Sequence, residues 1–357
     1  MTDGVVLRRE WLVSAIADVL RAAGAPPAGA SVVADSLVEA DLRGVPSHGT
    51  MLVPMYVDRL LAGSVSGRDR AETVVDTGAI AVLDGGHALG QLTGDQAMAL
   101  AVDKAKTYGI GAVVVRHAFH FGGAFRYAQA AAREGCIGIA MANTRPLMPA
   151  PGGGRPVVGN NPIAVAVPVA GAEPITLDMA LSEAALGKIR LAAQDGRPIP
   201  ASWATDAHGG PTTDPAAALA GMLLPMAGPK GYGLALMVDL LTGVLGGGGF
   251  GGHVRPLYAD VERPNDCAHL FLALDISMFG DSGEFASHAD DLVSQIRAAP
   301  TAPGVERVYL PGEIEATRAA AGRISGVPIS RAVLQSLRDK AIELGVELTE
   351  PLGEGKA

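Results

Sequence analysis

The run Gly111-Ala-Val-Val-Val-Arg116-His117-Ala-Phe-His120-Phe-Gly-Gly123 decides how this chain folds. Three consecutive valines read as a strand buried on both faces, because a strand with one wet face would alternate apolar with polar residues. The strand runs out into a loop with two histidines and two glycines, and loops at the carboxyl ends of parallel strands are where α/β folds bind ligands. Upstream, Thr93 to Tyr108 is helical, with Ala97, Leu100, Ala101 and Ala105 on one face, and Ala79 to Leu83 is a short β-like run before it. Downstream, a helix from Gly123 to Glu134 precedes a strand from Ile137 to Ala142. This alternation predicts an α/β core.

Farther out, Ile163 to Val169, Pro174 to Leu177 and Tyr232 to Leu245 form a second run of this kind, joined by Gly/Pro-rich loops. Beyond a glycine cluster at Gly246 to Gly252, His269 to Ile276 alternates like a strand, Asp290 to Ala298 is helical and Val308 to Leu310 is a short strand. Both ends are helical. Arg9 to Gly44 carries two helices broken at Gly24-Ala-Pro-Pro, Met51 to Leu61 is a third that stops at Gly63, and Glu313 to Leu344 closes the pattern. The expected organisation is one helical domain built from 1–75 plus 313–357, around an α/β region at 76–312 with two subdomains.

The 357 residues carry 28 Lys+Arg against 37 Asp+Glu, a net charge of −9, with no basic run of five. Such a field repels phosphate backbones and anionic bilayers, so nucleic acid and membrane are not expected partners. With 48% apolar and 18% charged residues the chain buries a large core, which excludes disorder. Cys136 and Cys267 stand far apart with no C-x-x-C, and are read as buried small side chains in a reducing compartment. Arg8 and Arg9 before Trp11 to Leu20 mimic a signal peptide, but Glu10 and Asp18 interrupt it, so a first amphipathic helix and a cytoplasmic protein are expected.

The dinucleotide fingerprint is missing after every predicted strand. The one G-x-G-x-x-G, Gly246 to Gly251, lies in the glycine cluster and precedes no helix, so it reads as a turn. Ser47-His48-Gly49 places a histidine on a glycine-flanked loop beside a hydroxyl that would fix its tautomer, which suits a general acid; the plainer reading is a helix cap beside a surface histidine. His117 and His120 form an H-x-x-H pair suited to a divalent metal, without a third ligand at matching spacing. Asp178-Met-Ala-Leu-Ser182 ends an apolar run, and Lys230 among glycines at a helix start would hold a phosphate or lie in an ordinary turn.

Several motifs follow one another along nearly the whole chain: Asp41-Leu-Arg-Gly-Val-Pro-Ser-His-Gly49 with Tyr56 and Gly63, Val115-Arg-His-Ala-Phe-His-Phe-Gly122, Asn143, Gly159-Asn-Asn-Pro-Ile-Ala164, Leu177-Asp-Met-Ala-Leu-Ser182, Ile199-Pro with Trp203 and Asp206, Leu224-Pro-Met226 with Lys230-Gly-Tyr-Gly-Leu234, and Leu310-Pro-Gly-Glu313. Together they resemble the type-2 malate/L-lactate dehydrogenase family of NAD(P)-dependent oxidoreductases. Its members interconvert 2-oxo and 2-hydroxy acids, and include malate, lactate, ureidoglycolate, sulfolactate and diketogulonate enzymes and cyclic-imine carboxylate reductases. The resemblance implies a non-Rossmann α/β fold, in agreement with the missing fingerprint.

It also implies His48 as the acid/base residue with Ser47 hydrogen-bonded to it, Asp178 in the same constellation, and His120 as the proton acceptor of some members. The cofactor, NAD ahead of NADP, is expected at His120, Gly122 and Gly123, at Asp178, Met179, Ala180 and Ser182, at Lys230, and at Pro311, Gly312 and Glu313. Arg43, Leu52 and Asn143 are expected to meet a small carboxylic acid substrate, no metal is expected, and the chain is expected to form a homodimer. The sequence departs from the family at three places: His117-Ala118 stands where Asn-Ser is common, Asn160 where Thr is common, and Leu52 where many members have an arginine four residues after the catalytic histidine. Either Arg43 or Arg126 supplies the missing cation, or Leu52 lines an apolar pocket for a larger acid.

The chemistry is coherent on its own terms. Hydride transfer to a carbonyl leaves charge on oxygen that an imidazolium can neutralise, and an ordinary histidine pKa of about 6.5 cycles at neutral pH. The expected function is hydride transfer between NAD(P)H and a 2-oxo acid. The alternative is reduction of a cyclic imino acid (piperideine- or pyrroline-2-carboxylate), and the reading from a different class is a metal-dependent lyase or hydrolase using His117 and His120.

Overall fold

The computed structural model describes residues 4–349 and the short strand Gly355–Lys356. β1 (Gly4–Leu7) leads into helices α1 (Arg9–Ala22), α2 (Pro27–Leu42) and α3 (Val53–Leu61). Then come β2 (Glu72–Thr77), β3 (Ile80–Asp84), α4 (Gly90–Tyr108), β4 (Ile110–Ala118), α5 (Phe125–Arg133) and β5 (Cys136–Ala142). Next are β6 (Met148–Pro149), β7 (Pro156–Val158), β8 (Ile163–Val167), β9 (Ile175–Met179), α6 (Leu186–Gln194), α7 (Pro215–Leu219) and α8 (Pro229–Asp239). β10 (Cys267–Asp275), α9 (Ser282–Ala298), α10 (Glu313–Ser325), β11 (Val327–Ser330), α11 (Arg331–Glu343) and β12 (Gly355–Lys356) complete the order.

The main sheet has seven strands in the order β2-β3-β4-β10-β5-β8-β9. Only β3 and β4 run parallel; the other neighbours are antiparallel. The valine run therefore reports burial and not direction. Val113 and Val115 face one apolar layer with Ala97, Ala101 and Ala105 of α4 and Ala128 and Ala131 of α5, while Val114 and Leu270 face a second layer with Ile189, Ala235 and Val238. Cover on both faces makes antiparallel strands as apolar as parallel ones. The alanines set the spacing: a Cβ at Gly111 would stand 1.9 Å from the carbonyl oxygen of Ala101 in α4.

The two chain regions far apart in sequence share a third apolar cluster. α1 buries Leu12, Ile16, Val19 and Leu20 on one face, and these pack with Ala319, Val327, Leu334, Leu337 and Ala341. β1 pairs antiparallel with β11, placing Val5 opposite Ile329.

Three local expectations change. Val308 to Leu310 forms no strand, because the Leu310 N–H donates instead to the Glu313 carboxylate at 2.9 Å and closes the start of α10. The helical tail breaks at Gly326, where φ is +104°, and Val327–Ser330 becomes a strand because β1 offers it a partner. α9 begins ahead of Asp290, at Ser282, since Asp281 accepts the Glu284 N–H at 2.8 Å as its cap. As the helix start at Lys230 implies, Tyr232 to Leu245 is helical, α8 continuing into a π-turn at Leu240–Val244. The glycine cluster is a turn, and a tightly packed one: a Cβ at Gly246 would meet Val114 at 2.4 Å and one at Gly249 the Asp266 carbonyl at 2.1 Å.

Because backbone faces Gly111, α4 cannot yield locally. Gly111→Ala should lower the unfolding free energy by about 1–3 kcal/mol, read as a lower denaturant midpoint at unchanged slope. An unchanged midpoint would show that α4 slides freely on β4.

Candidate active site

α2 ends at Leu42, and the chain enters two short 3-10 turns, Pro46–His48 and Thr50–Leu52. Asp41 holds them in place, accepting the Thr50 N–H at 2.8 Å and the Thr50 hydroxyl at 2.5 Å. A Cβ at Gly49 would strike its Oδ1 at 1.9 Å, so only glycine fits there. Burial raises the Asp41 pKa to about 6 against the pull of those two hydrogen bonds. On this support His48 stands half-buried, its Nδ1 3.0 Å from Ser47 Oγ. Burial holds its pKa below the ordinary histidine value, so its resting form is the neutral imidazole and not the imidazolium.

His120 comes to the same place from the end of β4. Its ring stacks on that of His48 with centroids 5.5 Å apart and planes at 24°. Gln91 Nε2 donates to Tyr56 Oη at 2.8 Å, and Tyr56 Oη lies 2.7 Å from His120 Nδ1. An amide nitrogen only donates, so the phenol O–H donates its hydrogen bond to Nδ1, which accepts it through its lone pair, and the hydrogen of the neutral His120 ring sits on Nε2. Burial, then the charges that His48 and His269 would carry, push the His120 pKa down to about 3. The amino end of α4 is pressed on this loop: a Cβ at Gly90 would stand 2.0 Å from the Phe119 carbonyl oxygen and 2.5 Å from that of His120.

The four expected cofactor segments are joined by hydrogen bonds. The Phe125 N–H, at the start of α5 just past Gly122 and Gly123, donates to Asp178 Oδ2 at 2.9 Å. The Met226 N–H donates to Leu181 O at 3.0 Å, so the strip Asp178, Met179, Ala180 and Ser182 lies beside the turn leading to Lys230. The Thr176 N–H donates to Pro311 O at 3.0 Å, and a Cβ at Gly312 would meet Thr176 O at 2.7 Å, which seats Glu313 close to the start of β9. Lys230 is exposed in the first turn of α8 behind Gly228, which has φ +62°. Asp178 stabilises the α5 amino end; its hydrogen bond goes to Phe125 and not to His48. Its pKa is raised by its low-dielectric surroundings, with Phe125 and Arg43 pulling the other way.

The expected substrate contacts have other partners. Arg43 is buried, with Nε 2.9 Å from Glu39 Oε1, a second nitrogen 3.0 Å from Gln129 Oε1, and its guanidinium over the Phe125 ring. Arg126 forks onto Asp95 at 2.9 and 2.7 Å. Asn143 uses both amide hydrogens, on Asp239 Oδ1 and Gly249 O at 2.8 Å each, and its Oδ1 accepts the Ala268 N–H at 2.7 Å. Leu52 is 1% exposed and belongs to the core shared by α1 and α11, so an arginine introduced there would enter that core. His117 and His120 do not face each other: His117 Nδ1 is 2.8 Å from Asp266 Oδ1, so the H-x-x-H pair does not share one ion.

Sequence reasoning assigned no role to Gln91 or Asp41, and it quoted Tyr56 only within a motif. Gln91 and Tyr56 are fully buried polar groups on helices, and no spacing rule links them to a histidine 64 positions beyond Tyr56.

A family model described as malate/L-lactate dehydrogenase matches residues 7–338. A protein named malate dehydrogenase from Pyrococcus abyssi is 37% identical over 351 residues, covering 96% of each chain. L-sulfolactate dehydrogenase from Methanocaldococcus jannaschii is 38% identical over 346 residues, covering 97% of this chain and 99% of its own; the solved sulfolactate dehydrogenase structure from the same organism aligns with TM-score 0.91 over 98% of this chain and 100% of that one. The solved delta1-piperideine-2-carboxylate reductase from Pseudomonas syringae aligns with TM-score 0.85 at 29% identity, covering 94% of this chain and 99% of that one.

Two measurements test this electrostatic picture. Tyr56→Phe strands Gln91 and frees His120, and should cost about 1–3 kcal/mol of stability while lowering turnover by up to about 100-fold; full turnover in that variant would exclude the relay. His120 and His269, with pKa values of about 3 in the fold against 6.5 for a free imidazole, bind fewer protons folded than unfolded in that window, and His48 acts in the same sense. Stability should fall as pH drops from 6.5 towards 3, Asp41 opposing with the reverse sign between 3.8 and about 6; calorimetric melts across that range measure it.

Proposed function

The chain belongs to the malate/L-lactate dehydrogenase family, and from that premise we propose that it oxidises a 2-hydroxy acid, or in reverse reduces a 2-oxo acid, with His48 moving the proton. The observation that carries this reading is the His48–His120 stack, in which two adjacent imidazoles are held in different states by different partners. The protein is a nicotinamide-dependent dehydrogenase. The nicotinamide, when bound, supplies or takes the hydride.

Ser47 Oγ serves as the acceptor for His48 Nδ1–H in both protonation states, which leaves Nε2 free to take the hydroxyl proton of the substrate and to return it in reduction. His120 stays neutral, because Tyr56 occupies its Nδ1, and presents Nε2–H as a donor to an oxygen. A second cation beside His48 is thereby avoided. For the carboxylate we assign Arg190 and Arg145. Arg190 lies on α6, whose Gly187 would touch Ser47 through a Cβ at 3.5 Å, and its guanidinium is 5.1 Å over the Tyr258 ring. Arg145 has its pKa lowered by burial and by Arg190, two like charges that an anionic substrate would relieve.

The residues fit a dinucleotide. The first turn of α8 offers Lys230, and a Cβ at Gly228 or Gly233 would meet nothing within 4 Å, so backbone there is open to a pyrophosphate. We favour NADH over NADPH, since the guanidinium groups of Arg297 and Arg307 beside the 311–313 segment are already paired with Glu313, whose pKa is lowered chiefly by the Leu310 N–H. The cyclic imino acid reading remains second, on the likeness to the piperideine carboxylate reductase. Homodimer formation is supported by the exposed apolar stripe Leu234, Met237, Leu240, Leu241, Val244 and Leu245 along α8 and its π-turn. No described helix is long and apolar enough to cross a membrane.

A panel of 2-hydroxy, 2-oxo and cyclic-imine acids scanned with both cofactors tests the function; turnover of none by the folded protein would overturn it. His48→Gln should lower kcat about 10²–10⁴-fold with little change in cofactor affinity. Because the His48 pKa is depressed, kcat/KM for oxidation should hold down through pH 6.5 and fall only below it, whereas an acid limb at or above 6.5 would contradict the site. Light scattering should give twice the chain mass, and the single chain mass at micromolar concentration would exclude the dimer.

A further inference from the structure

Beyond the catalytic pair, three metal-ligating side chains meet where β3 and β4 end and β10 begins. The parallel pair β3 and β4 ends on one side, and β10, antiparallel to β4, begins there, so the loop after β3, the last residues of β4 and the residue before β10 converge. They bring His87, His117 and Asp266, with one ligand atom from each lying within 4.8 Å of the other two. The imidazoles are 5.7 Å apart between centroids at 66°, and His117 Nδ1 is 2.8 Å from Asp266 Oδ1. His87 Nδ1 is buried without a hydrogen-bond partner, a state that a buried polar atom rarely keeps unless an ion or water answers it.

The loops are anchored from behind. The His87 N–H donates to His117 O at 2.8 Å, the Gly85 N–H to Arg116 O at 2.9 Å, and the Ser66 N–H to His87 O at 2.9 Å. Asp84, bonded by Arg116 at 3.0 Å and by the Gly86 N–H at 3.0 Å, adds a nearby negative charge that acts on both histidines. All three residues hold left-handed backbone, with φ of +57°, +47° and +58°, although none is glycine.

We propose that His87, His117 and Asp266 form a binding site for a divalent cation of the zinc class, separate from the dehydrogenase site and independent of its reading. Two imidazoles and one carboxylate suit Zn²⁺, Co²⁺ or Ni²⁺ better than Mg²⁺ or Ca²⁺, which take oxygen. Bond lengths of about 2.0–2.1 Å place tetrahedral ligands about 3.3 Å apart, so the triad closes by small side-chain rotations. His117 and Asp266 side chains are 36% and 28% exposed, which lets the ion enter and leaves at least one position for water. The bound ion would tie the ends of β3, β4 and β10 together, and with them the loop that carries His120.

Full-length protein stripped with chelator is titrated with ZnCl₂ by calorimetry and melted with and without Zn²⁺, and Co²⁺ reports geometry by its visible absorption. One ion per chain, a higher melting temperature with Zn²⁺, and a tetrahedral Co²⁺ band are expected. His87→Asn, His117→Asn and Asp266→Asn, chosen because asparagine tolerates left-handed backbone, should each weaken Zn²⁺ at least tenfold with unchanged metal-free circular dichroism, while His288→Asn on an exposed helix face leaves it unchanged. Should a variant not fold, X-ray absorption of the zinc-loaded natural protein must count two imidazoles. No Zn²⁺ uptake, uptake indifferent to all three substitutions, or a histidine count other than two overturns the proposal.

Discussion

The antiparallel insertion of β10 between β4 and β5 is the pairing on which the other parts depend. It joins residues 267–275 to strands more than a hundred residues earlier and places the start of β10 beside the end of β4. Asn143, at the end of β5, locks the junction, because its single amide binds α8, the glycine turn and the β10 backbone at once. A residue expected to greet substrate turns out to be the clasp of the sheet. With both faces of that sheet covered by alanine-rich helices, chemistry is left to the edges, where the histidines gather.

At the catalytic edge the governing problem is charge. Two imidazoles 5.5 Å apart would repel if both were protonated, and the fold assigns them different companions, a hydroxyl that can accept for His48 and a phenol that donates to His120. The tautomers follow from which neighbour has a proton to give. Asp178, the carboxylate of the same neighbourhood, is spent on the amino end of α5, so it shapes the loop between β4 and α5 without orienting His48 directly.

Much of this was legible in the chain. Ser47, His48 and His120 stood out through the motifs that carry the family resemblance, since on spacing alone a helix cap beside a surface histidine is the plainer reading, and the helical ends and valine strand followed from periodicity. What failed to show was whatever depended on a distant partner. Val327–Ser330 is a strand only because β1 exists, and Tyr56 and Gln91 look like core residues until His120 is placed against them. Leu52 and Arg43 misled in the opposite sense, since neighbours along the chain said nothing of the core or the Glu39–Gln129 network that takes them in. His87 has no metal spacing with either of its companions in sequence, because its ligand set spans three strands.

The closure of β1 on β11 bears on the order of events during synthesis. The floor beneath the His48 loop is the cluster that needs Val327, Leu334, Leu337 and Ala341 to be complete, so that loop waits for residues made near the end of translation. Until they emerge, α1 and α2 present apolar faces without cover, the state in which nascent chains recruit chaperones. A ribosome paused before residue 327 would thus carry a chain with its histidines present and its His48 loop unsupported, and that support would arrive in one late step.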